Sequence, residues 1–429
     1  MKKISRRSFL KVSAVGMMAA GLAACGSAAA STSASAAASG TASSAAGSTA
    51  AAGGKITVFE QKAEIYDQLV ELAKTYESET GVAVEVWPIS GDDFYQNLKT
   101  YMSSESGPTV FTLNSQSEID EMSGYLADLS DLAVISKVQD STLIGKSGDT
   151  TIGVPMTAEG FGVVYNKSLY DPTKLNTTDA LCDFIAQSSD VMGFELSQES
   201  YFLNGHILNF PFALQKDPKA FCKQVLSGEV NLADVAEFQE YAKIFGAIRD
   251  HEKNPVEITY DGNCGDFATG KTAAIHQGNW CYSMFKDYTV SFDMGMTGLP
   301  IGGNSAIPVG VPSYWCVNAD AAEADQKLGK AFIDWMYTSE KGLGYLSDFG
   351  FLPIVDGMKS DNLDPLSAAI GEAIAANNIL PWTFNTEWPA NIIDNYLAPL
   401  AQKFFTDTSM TEADYLKQLS DAFVTAAKE

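Results

Sequence analysis

The fold is decided by residues 55–86, KITVFEQKAEIYDQLVELAKTYESETGVAVEV. The first five residues predict a short apolar strand that ends at Phe59. The apolar residues of the next segment are spaced by four, three and four positions, which is typical of one helix face: Ile65, Leu69, Leu72 and Tyr76. Gly81 stands where a helix needs a left-handed residue to end. Alternating valines then predict a second strand up to Val86.

The alternation of helix and strand continues to residue 113. One apolar face predicts a helix from Phe94 to Met102, which Gly107-Pro108 would end. Thr109–Leu113 predicts a third strand, so the order indicates an α/β fold with a doubly wound parallel sheet. Ligands bind beyond the carboxyl ends of such strands. The polar residues at those ends are candidate ligand contacts: Glu60, Gln61, Asn114, Ser115 and Gln116.

The composition excludes several classes of partner. The chain has 429 residues, of which 53 are acidic and 28 basic. Five basic residues and no acidic ones lie in an N-terminal segment that we expect to be removed, which leaves a net charge near −30. This charge repels nucleic acids and anionic membrane surfaces. About 375 residues follow the low-complexity stretch, a length that indicates two lobes.

The N-terminus has the features of an export signal. Residues 1–24 begin with basic side chains and continue with an apolar stretch too short to span a bilayer. The end of the stretch, Leu22-Ala23-Ala24-Cys25, resembles the lipobox of bacterial lipoproteins, so lipidation of Cys25 is predicted. Residues 5–11, SRRSFLK, also resemble a twin-arginine signal, with Sec export as the alternative. Residues 25–54, mostly Ala, Ser, Gly and Thr, predict a flexible tether.

Neither a metal site nor a cofactor is indicated. The five cysteines after Cys25 form no CxxC pair, and the chain has three histidines. We expect small buried thiols, with a Cys264–Cys281 bridge as the alternative. Gly265–Thr272 matches the phosphate-loop pattern Gly-x4-Gly-Lys-Thr, but it lacks a preceding buried strand and a long following helix. We interpret it as a helix that ends at Gly270 and leads into a short strand.

Three segments resemble one known family, the bacterial extracellular solute-binding proteins of the maltose-binding type. Residues 55–86 resemble its opening strand, helix and Val-rich strand. Residues 153–167, GVPMTAEGFGVVYNK, resemble its Gly-x-Pro strand that runs into Tyr-Asn-Lys. Residues 267–280, FATGKTAAIHQGNW, resemble its Phe-x-x-Gly-Lys block, whereas Thr109 replaces the usual Asp after Pro. The resemblance extends from Lys55 to the C-terminus and implies a two-lobed type II periplasmic-binding-protein-like fold.

The same resemblance implies the domain boundaries. Lobe 1 would comprise residues 55–157 and 308–337, and lobe 2 residues 160–303 and 342–429. The chain would cross the hinge between them three times. The crossings are expected in segments that contain Gly, Pro or Ser: 157–160, 303–308 and 338–342.

The resemblance also assigns ligand contacts. Trp280 and Tyr201 match aromatic residues that stack on a sugar ring, with core packing as the alternative for both. Trp388 resembles a third such residue in lobe 2. Glu159 matches a carboxylate that accepts hydrogen bonds from sugar hydroxyls, with a bond to hinge N–H groups as the alternative. The further candidates are Trp382, Asn204, Asn279 and Glu387.

These expectations define a function. The resemblance implies a lipid-anchored substrate-binding protein of an ABC importer, on the outer face of the cytoplasmic membrane. It would bind a carbohydrate, an oligosaccharide, by hinge closure and deliver it to the membrane permease. We expect a monomer that is not an enzyme, since no motif pairs two carboxylates or a nucleophile with a base. The open alternatives are a binder of a polyamine or amino acid and an exported polysaccharide-active enzyme.

Overall fold

The computed structural model describes residues 54–88, 93–104, 107–358 and 363–428. The predicted export signal, Cys25 and the tether up to residue 53 lie outside this part of the chain. Within it, none of the helices combines the length and the apolar character that crossing a bilayer requires.

The described chain contains eleven strands and fourteen α-helices, with short 3-10 and π-helical turns between them. The strands are β1 (Lys55–Phe59), β2 (Ala83–Val86), β3 (Val110–Leu113), β4 (Gly145–Ser147), β5 (Thr150–Pro155), β6 (Glu159–Asn166), β7 (Ala274–Gly278), β8 (Met294–Thr297), β9 (Ile307–Gly310), β10 (Tyr314–Val317) and β11 (Ile379–Leu380). The helices are α1 (Tyr66–Thr80), α2 (Phe94–Met102), α3 (Gln116–Met122), α4 (Thr178–Ala186), α5 (His206–Ala213), α6 (Pro218–Ser227), α7 (Ala236–His251), α8 (Tyr260–Ala268), α9 (Glu323–Thr338), α10 (Glu340–Asp348), α11 (Pro365–Ala375), α12 (Thr383–Thr386), α13 (Ala398–Thr406) and α14 (Glu412–Ala426).

Lobe 1 is built on a six-stranded sheet of order β2-β1-β3-β10-β5-β4. The predicted parallel core is confirmed, because β1 is parallel to both β2 and β3. The helix between β1 and β2 ends at Gly81, which has a φ of 75°. The sheet as a whole is mixed, since β10 runs antiparallel to β3 and β5. The sequence of residues 55–113 does not indicate an antiparallel strand in this sheet, because β10 is formed by residues 314–317, far along the chain.

Lobe 2 is organised around β6. One edge of β6 pairs with β7, and the other edge pairs first with β9 and then with β8, all antiparallel. β11 adds a parallel strand beside β9. Helices α5, α7 and α14 bury an apolar cluster against this sheet, including Phe210, Phe245 and Phe423.

The two lobes meet at a hinge where residues 156–158 are hydrogen-bonded to two other segments of the chain. The Met156 N–H donates to the Ser313 carbonyl at 2.9 Å. The Thr157 hydroxyl donates to the Leu352 carbonyl at 3.2 Å, and Ala158 pairs with Leu352 in an isolated antiparallel bridge. The first crossing therefore lies at residues 157–158, between β5 and β6.

The second and third crossings lie further along the chain than expected. β9 remains in the lobe 2 sheet, so the second crossing is at residues 311–313 and not at 303–308. The Gly302-Gly303 pair, with φ of 62° and 69°, instead forms a tight turn within lobe 2. The chain then stays in lobe 1 beyond residue 342, because apolar residues up to Val355 pack in the lobe 1 core. It has returned to lobe 2 at α11.

Two interpretations of the sequence are confirmed. All five cysteines of the described chain are buried and free: Cys182, Cys222, Cys264, Cys281 and Cys316. The segment that matches a phosphate loop is the end of α8, a turn at Gly270 and the approach to β7. Lys271 in that turn forms an ion pair with Asp266, with 2.7 Å between Nζ and Oδ1.

The buried Tyr337 hydroxyl is hydrogen-bonded to the first hinge segment, and its removal should destabilise the fold. Tyr337 donates to the Met156 carbonyl at 2.6 Å and accepts from the Trp315 indole N–H at 3.0 Å. Tyr337→Phe leaves both groups buried without that partner, so we expect a loss of about 1–3 kcal/mol in the free energy of unfolding, measured by urea denaturation.

The matched control is Tyr345→Phe on α10. The Tyr345 hydroxyl bonds the Thr75 hydroxyl at 2.9 Å in a partly exposed position, so we expect a change within about 0.5 kcal/mol. Equal losses in the two variants would contradict the structural role given to the Tyr337 hydroxyl.

Candidate functional site

A cavity of about 270 Å³ lies between the two lobes. Its wall combines residues of lobe 1, residues of lobe 2 and residues 312–313 of the hinge. Aromatic rings and carboxyl groups dominate this wall. The aromatic residues are Tyr95, Tyr201, Phe202, Tyr260, Trp280, Trp382 and Phe384, and the acidic residues are Glu64, Glu118, Glu159, Glu199 and Asp394.

The carboxyl ends of β1 and β3 form the lobe 1 wall. These strands are parallel neighbours, so the residues that follow them lie at one edge of the sheet. Asn114 follows β3, and its N–H donates to Glu118 Oε2 at 2.6 Å. Glu118 is held in α3, where the Ser115 hydroxyl caps the helix by accepting from the Glu118 N–H. Burial raises the pKa of Glu118 to about 7, and the nearby Asp394 carboxylate adds to the rise.

Lys62 connects the two lobes across the cavity. Its Nζ lies 3.0 Å from the carboxylate of Glu159 at the start of β6 and 3.1 Å from that of Glu64. The same ammonium lies 5.8 Å from the centroid of the Trp280 ring. Burial opposes the charge of Lys62, but Glu159 and Glu64 together raise its pKa above the ordinary value. Burial raises the pKa of Glu159, and Lys62 limits that rise.

A chain of buried hydrogen bonds orients the indole of Trp280. Its Nε1 donates to Gln277 at 3.0 Å, Gln277 donates to Asn263 at 3.1 Å, and Asn263 donates to Glu195 at 3.0 Å. The ring lies over Gly278, where a Cβ atom would meet the ring at 2.2 Å. Gly278 is therefore required for the observed position of the indole.

Two wide helical turns bring further lobe 2 residues to the cavity. Tyr201–Gly205 and Ile393–Leu397 are single π-helical turns, a geometry that is frequent at functional sites. The first presents Phe202, whose ring is nearly parallel to that of Trp280 at a centroid distance of 6.0 Å. The second presents Asp394.

Several polar atoms of the cavity wall are buried and have no hydrogen-bond partner among the described residues. They are Asn114 Oδ1, Glu199 Oε2, His206 Nδ1, Tyr260 Oη and Trp382 Nε1. Burial lowers the pKa of His206 well below its ordinary value, so its imidazole is neutral. The set contains acceptors, hydroxyl and indole donors and an imidazole, and buried groups of this kind need partners. A ligand rich in hydroxyl groups would supply them.

Five of the predicted contacts line the cavity: Gln61, Asn114, Glu159, Tyr201 and Trp280. Glu60 is not among the lining residues. It is 2% exposed, and its Oε2 accepts from the Lys62 N–H at 2.7 Å. Burial raises the pKa of Glu60 to about 8. Trp382, named as a further candidate, also lines the cavity.

Trp388 and Asn204 are not among the residues that line the cavity. Trp388 is 2% exposed and packs edge-on against Phe212 and Phe423, with centroid distances of 5.0 and 5.1 Å. Asn204 is fully buried, donates to the Leu397 carbonyl and accepts from the Tyr241 hydroxyl. Both residues stabilise the lobe 2 core.

The remaining four expected contacts are not among the residues that line the cavity, and each has a structural partner in the protein. Asn279 accepts from the Gly160 N–H and donates to Ser367, which ties the start of β6 to α11. Glu387 pairs with Lys219 at 3.5 Å. Ser115 caps α3, as described above. Gln116 donates to Asp120 and to the Lys146 carbonyl.

The sequence reasoning missed most of the lobe 2 wall and the central cation. Lys62, Phe202, Tyr260, Phe384 and Asp394 were not predicted. Lys62 directly follows the predicted contacts at the end of β1, so its position was the available signal. The π-helical turns that carry Phe202 and Asp394 have no sequence pattern that would have indicated these two residues. Among the described residues, no group of His, Cys, Asp and Glu side chains is arranged to hold a metal ion.

Comparison with known proteins identifies the family of this chain. Residues 71–423 match the family described as bacterial extracellular solute-binding protein. The diacetylchitobiose binding protein DasA of Streptomyces coelicolor is 26% identical over 399 residues, which is 87% of this chain and 89% of that protein.

Solved structures show the same fold. SBP RafE in complex with raffinose has a TM-score of 0.73 at 21% identity, covering 87% of this chain and 99% of its own. The maltose/maltodextrin-binding domain MalE from Bdellovibrio bacteriovorus bound to maltotriose has a TM-score of 0.70 at 16% identity, covering 87% and 100%. These likenesses confirm the predicted two-lobed type II fold. With most of its length matched by the family, the chain belongs to the bacterial extracellular solute-binding proteins.

Proposed function

We propose that this protein binds a carbohydrate in the cavity between its lobes and delivers it to an ABC importer. One observation carries the proposal: buried polar atoms without a protein partner stand beside aromatic faces in the same cavity. A sugar has C–H faces that pack on rings and hydroxyl groups that both donate and accept. Small-molecule sites combine apolar walls with a few convergent polar groups in this way.

The names of similar proteins support a carbohydrate. The Streptomyces coelicolor relative is named for diacetylchitobiose, and a Streptococcus mutans relative, 23% identical over 331 residues, is named a multiple sugar-binding protein. Raffinose and maltotriose are the ligands in the two solved structures described above.

The volume of the cavity favours a short saccharide within it. About 270 Å³ lies just below the range of roughly 300–1,000 Å³ that is usual for small-molecule sites. An oligosaccharide would therefore extend beyond the cavity.

The proposed mechanism is closure of the two lobes on the ligand. Lys62 already bridges to Glu159, and the Ser117 hydroxyl donates to the Trp388 carbonyl at 3.1 Å across the cleft. A ligand that contacts Asn114 on lobe 1 and Trp280 on lobe 2 would add contacts available only in the closed form. It would thereby shift the population toward that form.

The cellular setting follows from the N-terminal sequence and remains part of the proposal. Lipidation of Cys25 would hold a monomer on the outer face of the cytoplasmic membrane, with the segment after it as a tether. The closed form would dock on the transmembrane subunits of the permease. We expect binding without turnover, no cofactor and no nucleic acid partner.

Thermal unfolding with a ligand panel tests the carbohydrate. The panel contains mono- to hexasaccharides of several linkages, amino acids and polyamines. A bound ligand at about 100 times its dissociation constant adds roughly 2.7 kcal/mol, which is visible as a rise in Tm. We expect a rise with a saccharide, accompanied by compaction in small-angle scattering. A rise with amino acids or polyamines alone would contradict the proposed ligand.

Trp280→Ala tests whether the saccharide stacks on the Trp280 ring. Loss of the ring removes both buried apolar area and the stacking interaction, so we expect the affinity for the saccharide to fall at least tenfold, about 1.4 kcal/mol, by calorimetry. The control is Trp335→Ala on α9, outside the cavity, where the indole N–H donates to Glu79. A loss below about 1 kcal/mol for Trp280→Ala would remove its assigned role.

Metabolic labelling with a radioactive fatty acid tests the anchor. We expect label on the protein and none on the Cys25→Ala variant, because the acyl chain would be attached to that thiol. Unlabelled wild-type protein, or label that survives in the variant, would contradict lipidation at Cys25.

A further inference from the structure

One polar side chain of the cavity wall stands among aromatic rings. His206 begins α5 directly after the π-helical turn Tyr201–Gly205, lines the cavity and is 5% exposed. Six Phe, Tyr and Trp rings have their centroids between 4.3 and 6.3 Å from that of the imidazole: Phe161, Tyr201, Phe202, Trp280, Trp382 and Phe384. All of them except Phe161 line the cavity with His206.

The packing at this place does not require an imidazole. Phe161 stacks on the His206 ring with 4.3 Å between the centroids and 16° between the planes, an arrangement that a phenyl ring could also adopt. The Nδ1 atom of His206 is buried and has no hydrogen-bond partner in the described chain. A buried polar atom without a partner destabilises the folded protein. The imidazole therefore needs a partner that the described residues do not supply.

A hydroxyl group is the partner that matches this imidazole. Burial, with His276 and the charge of Lys62 as further causes, lowers the pKa of His206 well below its ordinary value, so the ring is neutral. A neutral imidazole has one donor and one acceptor nitrogen. A sugar hydroxyl also donates and accepts, whereas an ammonium only donates and a carboxylate only accepts. A hydroxyl thus fits Nδ1 whichever nitrogen carries the proton.

His206 is also placed to meet the edge of a sugar ring. The C–H faces of a sugar pack on aromatic faces, and its hydroxyl groups project from the rim of the ring. The imidazole lies beside Trp280, with 5.3 Å between the centroids and 49° between the planes, so it does not extend the flat surface of the indole. A sugar packed on that surface would direct its rim toward His206.

We propose that His206 determines specificity through a hydrogen bond between Nδ1 and one hydroxyl of the sugar that packs on Trp280. This inference rests on the proposed function, because it names a residue that selects among carbohydrates in the same cavity. A saccharide that lacks this hydroxyl, or carries a substituent on it, leaves Nδ1 buried without a partner. Sites that hydrogen-bond a substrate hydroxyl reject analogues without it far more strongly than apolar pockets reject a change in size.

His206→Phe separates a role in binding from a role in stability. The phenyl ring keeps the contact with Phe161 and removes the unpartnered nitrogen, so we expect an unchanged or higher Tm without ligand. Calorimetry on the full-length protein then compares glucose, galactose, maltose, cellobiose and raffinose. For each sugar that the wild type binds, we expect the affinity of His206→Phe to be lower by at least about tenfold. A purely structural role of His206 would give the opposite result, a lower Tm with unchanged affinity.

A second pair of variants covers the case in which the phenyl ring disturbs folding. Asn and Leu have nearly the same size and shape, but only Asn offers a polar atom near the position of Nδ1. We expect His206→Asn to bind the sugars more tightly than His206→Leu. Equal affinities in these two variants would contradict a hydrogen bond at Nδ1.

His276→Phe is the matched control. His276 is fully buried on β7, and its ring lies 5.8 Å from that of His206 and 5.9 Å from that of Phe161 between centroids, but it is not among the lining residues. We expect this variant to keep the wild-type affinity. A loss equal to that of His206→Phe would assign the effect to the aromatic cluster as a whole and overturn the inference.

Monodeoxy forms of the sugars that bind identify the hydroxyl. One such form should bind the wild type at least about tenfold more weakly than its parent. His206→Phe should bind that form and its parent equally, because both changes remove the same hydrogen bond and their effects cannot add.

The outcomes keep the two proposals apart. Saccharides that bind His206→Phe as tightly as the wild type would overturn the inference and leave the proposed function intact. Losses that add for every deoxy form would do the same. Binding of amino acids or polyamines alone, or of none of the sugars, would contradict the carbohydrate proposal and the inference with it.

Discussion

The geometry of the cavity depends on a buried ammonium held between carboxylates. Moving charges out of water costs several kcal/mol per ion, and only close pairing in a fixed geometry offsets this cost. Lys62 meets the requirement with two partners at 3.0 and 3.1 Å, and its side chain is 12% exposed. Because Glu159 begins β6 while Lys62 follows β1, the pair joins the sheet edges of both lobes. Separating the lobes would break a pair whose members are already desolvated.

The ion pair also determines which surfaces remain for a ligand. The ammonium occupies space near the Trp280 ring and satisfies Glu159 and Glu64, so these carboxylates are committed to the protein. The Trp280 ring is fixed independently, by the hydrogen bonds that run through Gln277 and Asn263 to Glu195. An indole ring held in this way loses little conformational freedom when a ligand stacks on it, which lowers the entropic cost of binding.

The sequence predicts the parts of this arrangement that depend on local pattern. Helical spacing from Ile65 to Tyr76, the stop at Gly81 and alternating valines are sufficient for the first parallel strands of lobe 1. The polar residues after β1 and β3 follow from the topology of such sheets, and two of them, Gln61 and Asn114, reach the cavity. Resemblance to the family adds Trp280, Tyr201 and Glu159. Trp388 could not be placed, since its burial depends on Phe212 and Phe423, which are distant in sequence. The late hinge crossings were missed for the same reason, because only the packing of residues near Val355 keeps the chain in lobe 1.

Selectivity in such a cavity follows from the atoms that the protein leaves without a partner. A buried donor or acceptor that stays unpaired costs about 1–3 kcal/mol, so a ligand that lacks one matching group loses more than it gains from added apolar contact. The unpaired acceptor Asn114 Oδ1 belongs to lobe 1, whereas Glu199, Tyr260 and Trp382 belong to lobe 2. A ligand that matches lobe 2 alone can bind the open form as well as the closed one and therefore cannot shift the population between them. Only a ligand that also satisfies Asn114 and its neighbours gains affinity through closure, so the acceptors of lobe 1 decide which of the bound molecules drive the conformational change.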